Sequence, residues 1–278
     1  MFRLDAQDAI LLVHGLAGSE TEMRPLGKKL EAAGFAVEIP LLAGHGSTPA
    51  ELAATHWQQW YASAEAALES LLARYPRVSI GGLCMGSLLS IKLAHKYQHR
   101  LRALILVSPT MFFDGWAQPW YRFILPLVVK TPLKHRLSFP EAPPYGIKNA
   151  KLRSRLEKQI HAGQSHYGAT PVAAIHEVMQ LIDTLTPQVL GEMYLPTLIV
   201  HALEDEVAAP TTPLHLKQHL AHCDCELVWL EDSYHMATMD NQRDRVSQHA
   251  LRMLRLAGHQ ASLPALAPFA CPTALAAG

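Results

Sequence analysis

The sequence predicts an α/β fold: a mostly parallel central sheet flanked by helices, with a helical cap inserted. Three observations carry this. Short apolar runs alternate with helical patterns over residues 9–110. The alternation breaks over 111–190 and resumes at Thr197. A Gly-x-Cys-x-Gly turn at 82–86 joins a strand to a helix. Strands joined by crossover helices lie parallel and are covered on both faces. A chain of 278 residues is long enough for one such domain with its own core.

Ala9 to Val13 reads as a short buried strand, ending in the turn His14-Gly15-Leu16-Ala17-Gly18-Ser19. A helix follows over Met23 to Ala33, stopped by Gly34, and then a strand over Ala36 to Ile39. Thr55 to Ala73 reads as one long amphipathic helix, capped by Thr55 or an earlier threonine. Val78 to Gly81 is a strand, Ser87 to Tyr97 a helix and Leu101 to Val107 a strand. Residues 111–190 show no clear strand. They hold aromatics from Phe112 to Phe123, many prolines and helical patterns near 148–162 and 171–184. Strand Thr197 to His201, helix Thr212 to His219, strand Glu226 to Leu230 and helix Gln242 to Ala257 complete the core. The expected organisation is a core of 1–110 and 191–257, a helical cap or lid of 111–190, and a flexible tail of 258–278 rich in alanine and proline.

Composition removes several function classes. A formal net charge of zero gives no field to recruit nucleic acid, and no basic cluster interleaved with aromatics is present. Four irregularly spaced cysteines make no disulfide framework, and Cys223-x-Cys225 lacks a second pair at zinc-site distance. The histidines lack ligand spacing such as His-Glu-x-x-His, so neither metal nor cofactor is expected. No apolar run reaches membrane-span length and no signal-peptide pattern opens the chain, so a cytoplasmic location is expected.

The chemistry centres on Cys84. Glycines two residues to either side allow a sharp strand-to-helix turn and the strained backbone it imposes on the residue between. The sulfur then stands at a helix N-terminus, an environment that favours thiolates. In a nucleophile–acid–histidine chain order, Asp205 follows the strand ending at His201, with Glu204 and Glu206 as rivals one residue away. His235, in Asp232-Ser233-Tyr234-His235-Met236, follows the last strand and is the candidate base. The backbone amides of Leu16 and Met85 are the candidate oxyanion-hole donors. His14 and His45 read as structural, and Asp240 as a cap of the terminal helix.

These segments resemble the α/β-hydrolase superfamily, and most closely its small carboxylesterase and monoacylglycerol-lipase-like branch. The turn at 14–19 is similar to that branch's oxyanion loop, Gly44-His45-Gly46 to its Gly-His-Gly stretch, and Gly82-Leu83-Cys84-Met85-Gly86 to its Gly-Leu-Ser-Met-Gly elbow. The Asp205 loop and Ser233 to Asp240 resemble its acid and histidine segments. The resemblance covers residues 9–110 and 195–256. The departure is cysteine for serine, similar to polyhydroxyalkanoate synthases and dienelactone hydrolases. It implies hydrolysis of a lipophilic ester or thioester through Cys84, His235 and Asp205 by way of a thioester acyl-enzyme.

An acyltransferase fed by coenzyme A or an acyl carrier protein is the alternative, with Lys130, Lys134, His135 and Arg136 as a modest docking patch. Phe112, Phe113, Trp116, Trp120 and Tyr121 are the expected substrate-binding residues.

Overall fold

The computed structural model describes residues 7–118, 123–161, 168–220 and 222–260. In chain order the first half holds β1 (Asp8–Val13), α1 (Glu20–Ala32), β2 (Ala36–Glu38), α2 (Pro49–Ala53), α3 (Trp57–Arg74), β3 (Arg77–Leu83), α4 (Met85–Tyr97) and β4 (Leu101–Val107). The stretch after β4 holds α5 (Leu125–Val128), β5 (Ser138–Pro140), α6 (Ala150–His161), β6 (Ala169–Pro171), α7 (Val172–Asp183) and α8 (Pro187–Gly191). The chain then returns to β7 (Thr197–Ala202), α9 (Thr211–His219), β8 (Cys225–Leu230) and α10 (Arg243–Gln260).

Six strands form one sheet in the order β2-β1-β3-β4-β7-β8, and every neighbouring pair is parallel. Alternate residues of one strand feed two cores. In β1, Leu11 and Val13 pack with Trp60, Leu68 and Leu71 of α3 and Leu88 of α4. Ile10 and Leu12 pack on the other face with Met23, Leu26 and Leu30 of α1 and Val246 and Met253 of α10. Burial on both faces is why β1 is a continuous apolar run rather than an alternating one. The chain winds from β1 out to β2 and returns to β3 on the other side of β1. Such a reversal opens a crevice at the carboxyl ends of the strands.

The turn from β3 into α4 is set by backbone crowding. A Cβ on Gly82 would stand 2.2 Å from the Gly86 carbonyl, and one on Gly86 would stand 2.2 Å from the Val13 oxygen. Only hydrogen fits at either place. Between them Cys84 adopts φ +56° and ψ −122°, a region L-residues rarely enter. Its N–H donates to Val107 O at 3.0 Å, and Ser87 Oγ donates to Gly82 O at 2.7 Å, so the turn is fastened from both strands.

Three expectations need correction. The stretch 111–190 does contain strands: β5 and β6 pair antiparallel from Ser138↔Pro171 to Pro140↔Ala169. At three residues each they are too short to show a period, and each ends in a proline that argues against a strand. The helix expected over 55–73 is α3, a single helix over Trp57–Arg74, but its N-cap is His56 and not a threonine; the short α2 precedes it. Thr48 caps α2, in a box with Glu51, and Thr55 sits between the two helices, where its hydroxyl donates to Leu52 O and accepts from Trp60 Nε1, each at 2.8 Å. The last helix runs past Ala257 to Gln260. The remainder of the expected tail, with Cys271, lies outside the described residues.

Replacing Gly86 with alanine forces a carbon into the Val13 carbonyl. Overpacking costs about 1–3 kcal/mol even where side chains can yield, so a loss at or above that range is expected here, read as a lowered midpoint in urea unfolding.

Candidate active site

Four loops leave the same carboxyl edge of the sheet, two on either side of β4. They carry Leu16 after β1, Cys84 after β3, Asp205 after β7 and His235 after β8. Asp205 is buried, and three groups hold its carboxylate. Oδ1 accepts the N–H groups of Val207 and Ala208 at 2.9 Å each. His235 Nδ1 lies 2.8 Å from Oδ2 and 3.0 Å from Oδ1. A carboxylate can only accept, so Nδ1 carries the proton and Nε2 is left for chemistry. Nε2 is buried and has no hydrogen-bond partner among the described residues. Cys84 is part-exposed, and the Thr110 hydroxyl stands 3.6 Å from its sulfur in position to donate.

The charges of this group depend on one another. Burial, the largest influence on His235, disfavours its cation, but the charge of Asp205 and then that of Cys84 outweigh it and hold the ring well above the ordinary histidine value. Burial likewise opposes the charge on Asp205, and the attraction of His235 overcomes it, so the carboxyl sits below its usual range. His201 also lies near this carboxylate, 3.6 Å from Oδ2. Burial keeps it neutral, with Nε2 donating to Ala208 O at 2.9 Å. The rivals of Asp205 have other partners. Glu206 accepts the backbone N–H of His235 at 3.1 Å, and burial pushes it up. Glu204 pairs with Lys148 at 2.6 Å.

The turn after β1 is braced by uncharged histidines. His14 Nδ1 donates to Gly15 O at 2.9 Å, and Nε2 accepts the Leu42 N–H at 3.2 Å. Its ring meets His45 edge-on at 5.0 Å, and His45 meets Trp60 at 5.4 Å. Burial lowers His14 to about 4 and His45 to about 3. Both are structural in this arrangement. The N–H groups of Leu16 and Met85 donate to no acceptor among the described residues.

A cavity of about 680 Å³ opens beside His235. Its apolar lining includes Leu16, Ile147, Leu152, Leu156, Met236 and Met239, and polar groups enter from Glu22, Glu141, Arg155 and Gln159. The structure does not bring the expected aromatic residues there. Phe112 lies against His215 of α9, and Phe113 packs on the α3/α4 core. Trp116 donates to Glu204 O at 3.0 Å and meets the Tyr234 ring edge-on at 5.6 Å. These rings fasten the chain leaving β4 onto α9, the α3/α4 core and the loops of Glu204 and Tyr234. Trp120 and Tyr121 lie outside the described residues.

Sequence reasoning gave no role to Glu22 and misread Asp240. Asp240 does not cap α10. Its buried carboxylate accepts the N–H groups of Lys148, Asn149 and Tyr234 at 2.8 Å each and of Asn241 at 2.9 Å. It therefore ties the start of α6 to the His235 loop. Glu22 accepts the Gly15 N–H at 2.9 Å. Its position one helical turn before Leu26 and two before Leu30 was the available signal that it faces inward. Among the described residues no cluster of three His, Cys, Asp or Glu side chains could hold a metal ion, and no helix is long and apolar enough to cross a membrane.

A family model, Hydrolase_4 (serine aminopeptidase, S33), matches residues 5–242. The carboxylesterase of Bacillus subtilis (strain 168) is 25% identical over 247 residues, covering 88% of this chain and 92% of its own. The thermostable monoacylglycerol lipase of Bacillus sp. (strain H-257) is 26% identical over 250 residues, covering 87% and 88%. A solved structure reported for the metagenome-derived lipolytic enzymes LipS and LipT superposes with a TM-score of 0.77 at 27% identity, covering 92% of this chain and 96% of its own.

Replacing Asp205 with asparagine removes the charge that raises His235 and leaves burial to lower it. The His235 titration, followed by NMR of the ring, is expected to move down by more than one pH unit, an order-of-magnitude minimum for losing a close buried charge.

Proposed function

The chain belongs to the Hydrolase_4 family and is a carboxylesterase/lipase-like α/β-hydrolase; from that premise we propose that it hydrolyses a lipophilic ester through Cys84, His235 and Asp205. The observation that carries the reading is His235 itself. One ring nitrogen is fixed on a buried carboxylate and the other is buried without a partner, while Cys84 bears on the charge of the same ring. A buried polar atom left unpaired in a native fold calls for an explanation, and a proton acceptor for an attacking thiol supplies one.

Cys84 Sγ attacks the ester carbonyl, and its proton passes to His235 Nε2. Charge develops on the carbonyl oxygen opposite the amides of Leu16 and Met85. The tetrahedral adduct collapses to a thioester, and His235 returns the proton to the departing alcohol. Water then attacks the thioester with His235 as base, and the acid leaves with the thiol restored. Asp205 holds the tautomer and offsets the imidazolium charge throughout.

The apolar wall of the cavity suits an acyl chain, in keeping with the carboxylesterase and monoacylglycerol lipase relatives. An ester is favoured over an amide because the amide nitrogen must be protonated before it can leave, which asks more of His235 as acid. Transfer of the acyl group to another acceptor would use the same thioester. No feature of the cavity favours a coenzyme A or carrier-protein donor, since Lys130, Lys134, His135 and Arg136 are not among its lining residues. We read residues 111–190 as the cap over this core. Part of it lines the cavity, including Glu141, Ile147 and Leu152.

Cys84→Ala is expected to abolish hydrolysis of medium-chain p-nitrophenyl esters, by at least about a thousandfold if nucleophile loss follows the usual pattern. Mass spectrometry of the wild type quenched during turnover should show one acyl group on Cys84. Undiminished turnover by the alanine variant would end the proposal.

A further inference from the structure

Glu22 is absorbed by none of the steps above, yet it occupies the centre of the site. It lies in the first turn of α1, where a solvent-facing acid would serve the helix dipole. Instead its carboxyl folds back under the turn after β1. Oε2 accepts the Gly15 N–H at 2.9 Å. A Cβ on Gly18 would stand 2.3 Å from both of its oxygens, so the loop lies flush against the carboxyl. A Cβ on Gly15 would stand 3.3 Å from Glu22 Oε2 and 3.3 Å from Cys84 Cβ, which sets acid and thiol within one side chain's width. Thr238 Oγ1 donates to Glu22 O at 2.7 Å and joins the same residue to the His235 loop. Glu22 also lines the cavity beside Leu16 and His235.

We propose that Glu22 is a positioning residue of the esterase reaction: by accepting the Gly15 N–H it fixes the peptide that aims the Leu16 amide at the reacting carbonyl. This rests on the mechanism given under Proposed function. The bond to Gly15 survives in either protonation state, because the neutral carboxyl still offers a carbonyl oxygen, a weaker acceptor than the carboxylate but an acceptor nonetheless. The charge is what matters. A carboxylate this close to Leu16 and Cys84 would repel the negative charge that develops on the carbonyl oxygen. Burial pushes Glu22 up to about 7, against the pull of the Gly15 N–H and of His235, and Glu141 pushes it further the same way. The charged and titratable groups around it are His235 from the β8–α10 loop, Glu141 after β5, Arg155 of α6 and the Cys84 thiol of the elbow. An acyl chain that expels water from the cavity favours the neutral acid again.

The test uses Glu22→Ala and Glu22→Gln in the full-length enzyme with a p-nitrophenyl ester. Glu22→Ala is expected to lower kcat by about ten- to a hundredfold with little change in KM, below the roughly hundred- to thousandfold cost of deleting an oxyanion donor outright. Alkylation of Cys84 by iodoacetamide at pH 6 should be unaffected, which places the loss at the carbonyl oxygen and not in the thiol or the fold. Glu22→Gln, which keeps the acceptor, should restore most of kcat. Wild-type kcat should fall as pH rises through about 7, where the acid ionises, and the glutamine variant should not show that fall. Wild-type kcat in Glu22→Ala, no rescue by glutamine, or the same fall near pH 7 in Glu22→Gln would each overturn the proposal. If the alanine variant does not fold, the pH profile of the glutamine variant still decides. Turnover that survives Cys84→Ala removes both readings, and Cys84-dependent turnover indifferent to Glu22 removes this one alone.

Discussion

A carboxylate with almost no contact with water governs this site. Asp205 is 2% exposed, and an isolated buried charge of that kind would cost several kcal/mol. Its folded charge persists because two backbone amides of its own loop and the His235 ring all donate to it. The consequence reaches beyond one pair. The β7 loop must curl so that Val207 and Ala208 point inward, and the β8 loop must place His235 at one distance and one angle. Glu206 then takes the His235 N–H from the other side, so the ring is held by side chain and backbone together.

The sheet supplies the common platform. Parallel pairing from β1 to β8 sends the loops after β1, β3, β7 and β8 out of one edge, and the crowding of Gly82 against Gly86 and of Gly86 against Val13 sets the turn that carries Cys84. Asp240 performs the equivalent task for the inserted segment by gathering Lys148 and Asn149 onto the His235 loop. Residues lining the cavity on the insertion side thus share an anchor with the histidine.

Much of this was legible in the sequence because it is written locally. Buried strands announce themselves as apolar runs, and the glycine frame around Cys84 marks the only kind of turn that can crowd a strand against a helix so closely. The order of Cys84, Asp205 and His235 follows from the winding of the sheet. What escaped depends on contacts between distant parts of the chain. Glu22 looks like a helix-dipole acid until the turn before it is folded over the carboxyl. Asp240 looks like a cap until the amides of residues 148 and 149 arrive. The rings of Phe112 and Trp116 read as a substrate wall because hydrophobicity does not say which surface it will cover; here α9 and Tyr234 claim them. β5 and β6 were invisible because three residues carry no period.

The buried, edge-to-face imidazoles of His14 and His45 have a cost that emerges only in acid. Each is buried as a neutral ring in the native chain and lies below the ordinary histidine value of 6.5, whereas the unfolded chain would protonate both near that value. Between about pH 6.5 and the folded values near 4 and 3, unfolding takes up protons at both rings, and mass action pulls the protein toward the open state. The brace that keeps the turn after β1 in place near neutrality therefore doubles as a proton sink that undermines the fold as the medium turns sour.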